Sequence, residues 1–74
     1  MKRNEVIEIL ETLEWKLRHN IEPENPNFQN LNEEETECAL SQIKDQLFYL
    51  KHTSEPLENI FDEQELEIYA QTNT

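Results

Sequence analysis

A chain of 74 residues with seventeen acidic and six basic side chains, at a net charge of -11, makes one domain at most and buries only roughly 60% of its unfolded surface. The usual staples of small domains are missing: Cys38 is the one cysteine, and no Cys/His cluster has the spacing of a zinc site, so a homodimer or a partner-bound state is the remaining stabilising device. Phosphate binding needs clustered lysine and arginine, which argues against nucleic acid and anionic membranes as direct ligands and for a protein with a basic surface as the partner.

The run VIEILETLEW is interrupted by glutamates and is too polar for a signal-peptide core or a membrane span. With a single unpaired cysteine, the cytoplasm is the expected compartment. The chain has no glycine. Tight hairpin turns and phosphate-cradling loops rely on residues that tolerate positive φ, so a multi-strand sheet is disfavoured and the expected class is all-α.

The spacing predicts a first helix over residues 4–20, with Asn4 as its N-cap. Val6, Leu10, Leu13 and Leu17 form an apolar stripe, flanked by Ile7, Ile9 and Ile21; so wide a face suits packing against more than one neighbour. Glu14 and Arg18 are placed for an i,i+4 ion pair. Trp15 falls nearly opposite the centre of the stripe. A large aromatic there is covered by the C-terminal segment, lies in a homodimer contact, or anchors a foreign partner.

Pro23 and Pro26 break the pattern in IEPENPNFQNL, giving a connection over 21–31 in which Phe28 and Leu31 plug the open end of a helix pair. A second helix is expected over 32–53. Asn32 and Glu35 have capping-box spacing, and Glu33, Glu34 and Glu35 complement the positive end of the helix dipole. Thr36, Leu40, Ile43, Leu47 and Leu50 form its stripe. Phe48 and Tyr49 fall off that seam, and Cys38 has no basic neighbour to activate it.

Thr53 or Ser54 ends the second helix, and Pro56 confirms the break. Over 56–70, Leu57, Ile60 and Phe61 fit one helical turn, and Asp62 with Glu65 repeats the capping signature before Leu66 and Tyr69. The alternation Glu65-Leu66-Glu67-Ile68 suits a short strand equally well. Residues 71–74 read as a frayed polar tail. The expected architecture is an antiparallel two-helix hairpin with a third short C-terminal helix packed on it.

Catalytic chemistry finds little to work with. His19 and His52 sit near the C-terminal ends of their helices, where the dipole favours them, and those ends lie apart in an antiparallel pair. No spacing for metal ligation, nucleophile activation or calcium binding occurs. The reading is therefore a non-enzymatic protein without cofactor or metal.

Charge is distributed more informatively. From Met1 to Ile21 four basic residues offset four acids, whereas Glu22 to Ile43 carries six acids and no base, and Glu55 to Thr74 another six unopposed. If the C-terminal segment packed beside the start of the second helix, the two blocks would merge into an acidic face imitating the phosphate row of a nucleic acid. Glu33, Glu34, Glu35, Glu37, Asp62, Glu63, Glu65 and Glu67 would carry the electrostatics, with Trp15 and Tyr69 as anchors. In composition the chain is similar to small acidic proteins of phages and mobile elements that block host nucleases, anti-CRISPR proteins among them; the likeness includes no shared motif. It implies an inhibitor or regulator that occupies a basic, nucleic-acid-binding surface of its partner. The competing reading is a homodimeric helical accessory protein, such as a secretion chaperone, antitoxin or assembly factor. That protein would grip its partner through apolar surface, with its glutamates as ordinary solvation.

Overall fold

In a computed structural model that describes residues 2–72, the chain is 74% helical, with no strand among those residues. Helix α1 spans Arg3–Arg18. It begins earlier than an Asn4 cap implies, because Lys2 is the N-cap and the Glu5 carboxylate accepts a hydrogen bond from its backbone N–H (3.2 Å). Past the C-cap His19, Asn20 adopts the left-handed conformation (φ 56°). Ile21 N–H donates to the Lys16 carbonyl at 2.8 Å and Asn20 N–H to that of Leu17. This is a Schellman termination with asparagine doing the work usually given to glycine.

The connection that follows is pinned rather than loose. The Asn25 side chain accepts from Asn27 N–H (2.9 Å) and so caps a single 3-10 turn over Pro26–Phe28. The Gln29 amide donates to the Pro23 carbonyl (3.0 Å), and Glu22 accepts from Asn30 N–H (2.9 Å). Phe28 and Leu31 pack against the core as the two anchors.

Helix α2 spans Glu33–His52, and its start follows the predicted chemistry. Asn32 Oδ1 accepts from Glu35 N–H (2.7 Å), and the Glu35 carboxylate accepts from Asn32 N–H (3.1 Å). At the other end Arg3 supplies what the sequence reading lacked. Its guanidinium donates to the Leu50 carbonyl (2.9 Å) and to the Glu55 carbonyl. A cation thus satisfies an orphan carbonyl in the last turn of α2 and ties the start of α1 to the chain leaving α2. Helices α1 and α2 are accordingly antiparallel neighbours.

Val6, Leu10, Leu13 and Leu17 are all buried, facing Ala39, Ile43, Leu47 and Leu50. The α2 stripe is thus rotated slightly from the expected one. Ala39 is buried while Leu40 is only half-buried, on the flank of the stripe. Val6, Leu10, Ile43 and Leu50 are the most deeply buried, each contributing about 1.5–3 kcal/mol of transfer free energy.

The C-terminal segment forms two helices where one was expected: α3 (Leu57–Ile60) and α4 (Glu63–Thr72). Phe61 is extended between them (φ -121°, ψ 144°), and that break turns its ring into the core. The alternation at 65–68 resolves as helix. Asp62 Oδ1 caps α4 by accepting from Glu65 N–H (2.8 Å). Helix α4 packs on α1, and Phe61 and Tyr69 meet edge to face at 5.6 Å and 87°. Of the tail expected over 71–74, Gln71 and Thr72 belong to α4, and residues 73–74 lie outside the described residues.

Candidate functional site

Two surfaces remain after the core is filled, one acidic and one aromatic. The acidic residues singled out by sequence have unequal duties. Glu35 and Asp62 are helix caps. Glu65 is half-buried and sits close enough to Tyr69 to act on its phenol electrostatically. Glu33, Glu34, Glu37, Glu63 and Glu67 are exposed, and their side chains make no hydrogen bond or ion pair among the described residues. Both ion pairs in the described chain use acids of α1 instead: Glu14–Arg18 at 3.6 Å and Glu11–Lys51 at 3.4 Å. At their exposure such pairs contribute on the order of 0.5 kcal/mol or less.

The packing of α4 also bears on how the two acidic blocks meet. The first block gathers at the loop end of the hairpin, around the start of α2. The second begins at the opposite end, where α2 gives way to α3, and continues along α4 on the flank of α1. The contact that places α4 is the one with α1.

Tyr69 is corrected outright as a surface anchor. It is 4% exposed, part of the core against Phe61, and burial pushes its phenol up to about 12, with Glu65 adding to the effect. An aromatic at the apolar position of a short helix is core before it is interface. Trp15, by contrast, is 55% exposed, and neither α3 nor α4 covers it. Phe48 is 66% exposed. Tyr49 is exposed too, but its hydroxyl bonds to the Glu55 carboxylate, which raises its pKa.

Trp15 and Phe48 line one shallow groove of about 540 Å³ between α1 and α2. Sequence reasoning missed its construction. Every lining residue of α1 has a counterpart thirty-three positions later on α2: Glu11 and Lys44, Glu14 and Leu47, Trp15 and Phe48, Arg18 and Lys51, His19 and His52. The signal was in the chain as a repeated pattern of aromatic, any residue, leucine, base, histidine: Trp15-Lys16-Leu17-Arg18-His19 and Phe48-Tyr49-Leu50-Lys51-His52. The leucines of the two copies, Leu17 and Leu50, are buried in the core. Antiparallel packing brings the two copies of the pattern to the two walls of the groove.

Each aromatic is supported by the histidine one turn on. The Trp15 and His19 rings lie 4.7 Å apart, and those of Phe48 and His52 stack at 4.2 Å and 22°. His52 Nδ1 also bonds the Phe48 carbonyl at 2.8 Å; a carbonyl only accepts, so the proton sits on Nδ1. Both histidines line the groove. Comparison with known protein families, with characterised proteins and with solved structures finds no match for the chain. None of the helices described is long and apolar enough to cross a membrane.

Proposed function

We propose that the chain is a non-enzymatic inhibitor or regulator that binds a partner protein stoichiometrically and occludes a basic, nucleic-acid-binding surface on it. The observation that carries this reading is the set of unneutralised carboxylates. Glu33, Glu34, Glu37, Glu63 and Glu67 form no ion pair among the described residues, within a chain at net charge -11. Such a field steers and selects a positive surface and repels nucleic acid itself. The proposal places the protein in the cytoplasm, where the exposed thiol of Cys38 stays reduced.

The test is capture of the partner from native cells by the wild-type chain and by a Glu33→Lys/Glu34→Lys/Glu37→Lys variant. This variant leaves the Asn32–Glu35 cap intact. The wild type retains a basic protein, with affinity falling about tenfold or more between low and moderate salt, and the variant does not retain it. Retention indifferent to both salt and charge reversal contradicts the proposal.

The second reading, a homodimeric accessory protein gripping its client through apolar surface, is favoured by the exposure of Trp15 and Phe48. It predicts capture that tolerates salt and depends on those two rings.

A further inference from the structure

We infer that residues 57–72 are a strap that lifts from the hairpin as one unit, and that Glu55, held by Arg3 and Tyr49, is the latch that sets how often it lifts. The inference concerns the closure of the fold and does not depend on what partner the acidic blocks bind.

Burial divides the chain unevenly. Eight of the eleven buried apolar side chains belong to α1 and α2, and Leu57, Phe61 and Tyr69 are the three from the last segment. The hairpin therefore keeps most of its core when the strap lifts. The strap cannot stand alone: α3 has four residues and α4 ten, short of the roughly 12–15 at which an isolated helix is even marginal in water. It folds only while docked on α1. A segment in that position opens together, at a free energy below that of the whole chain.

The joint is tied at one residue. Between His52 and Leu57 the chain leaves the helix, with Thr53 at φ -134°, ψ 155° and Pro56 at φ -59°, ψ 145°. Within that stretch Glu55 is held by its backbone and its side chain. Its N–H donates to Thr53 Oγ1 (3.2 Å), its carbonyl accepts from the Arg3 guanidinium, and its carboxylate accepts from the Tyr49 hydroxyl. Arg3 also donates to the Leu50 carbonyl at 2.9 Å. Glu55 is thus fastened to the start of α1 and the end of α2 at once.

Charge works against the latch. Residues 57–72 carry five acids and no base, and the rest of the chain twelve acids and six bases. None of the five makes an ion pair among the described residues. Apolar burial and the latch thus hold the strap down against a repulsion between two acidic bodies, which salt weakens. Screening keeps the strap closed, and low salt lifts it.

Native-state hydrogen exchange of the full chain tests the inference. The amides of Phe61 and Leu66, bonded to the carbonyls of Leu57 and Asp62, are expected to share one opening free energy. They should exchange about tenfold or more faster than those of Ile43 and Leu47 in α2, after correction for intrinsic rates. Tyr49→Phe should raise the opening of the strap about fivefold, the effect of one hydrogen bond, with no matching change at Ile43 and Leu47. Glu55→Ala should do the same, and the double variant should open the strap no further than either single one. Raising salt from about 50 to about 300 mM should slow exchange in the strap severalfold. If Phe61 and Leu66 open with the same free energy and denaturant dependence as Ile43 and Leu47, the chain is one cooperative unit and the inference is overturned. It is overturned equally if Tyr49→Phe and Glu55→Ala leave exchange in the strap unchanged.

Discussion

Tyr69 illustrates how one side chain links fold to pH. Its phenol ionises at an ordinary 10.0 when free in water and is pushed up to about 12 in the fold, chiefly by burial and then by Glu65. The folded state holds that proton more tightly than the unfolded one. The stability involved is therefore whole below pH 10, declines as pH rises toward 12, and amounts to on the order of 2 kcal/mol. In a Tyr49→Phe background Tyr69 is the only tyrosine left, so its phenolate absorbance is expected to appear together with the loss of helical circular dichroism. Titration of that phenol while the chain stays fully helical would contradict its place in the core. The same residue shows a limit of pattern reading: helical spacing put Tyr69 on an apolar position but could not tell a covered face from an exposed one. The adjacent break at Phe61, which brings the two rings together, has no spacing signature.

At the scale of elements, the hairpin is held by devices of different legibility. The Asn32 cap follows from local chemistry alone, and both of its reciprocal hydrogen bonds are present. Asn32→Ala is expected to lower the unfolding free energy by about 1 kcal/mol, and Asn32→Gly by only a few tenths; equal losses in chemical denaturation would show that the side-chain bonds do not carry the cap. Arg3 was illegible for the opposite reason. Its acceptors, the carbonyls of Leu50 and Glu55, are remote in sequence and belong to the backbone, which no residue pattern reports. Arg3→Ala should cost about 1.5–3 kcal/mol, the range for hydrogen bonds to a charged group. Arg3→Lys should recover only part of it, because lysine lacks the fork that reaches two carbonyls. Full recovery by lysine would reduce the role of Arg3 to its charge. The wide apolar face of α1 was readable as a demand for two neighbours, and α2 and α4 both pack on it. Which end of the hairpin α4 would follow was not, because that choice rests on the break at Phe61 and on long-range burial.

For the molecule as a whole, the acids without an ion pair lie outside the groove lined by Trp15 and Phe48, whose own acids are paired. The repeat across thirty-three positions was visible in the sequence, but its meaning appears only when antiparallel packing brings its copies to the two walls of one groove. The acidic blocks were visible from composition; what the structure adds is which carboxylates are spent on caps and which are exposed without an ion pair. The central claim is that these exposed acids occupy a surface where the partner otherwise holds nucleic acid. Titrating the chain into a complex of the captured partner with a labelled nucleic acid measures this directly. The account predicts stoichiometric release of the nucleic acid, diminished by the Glu33→Lys/Glu34→Lys/Glu37→Lys substitutions. A stable ternary complex, with chain and nucleic acid bound to the partner together, would contradict it.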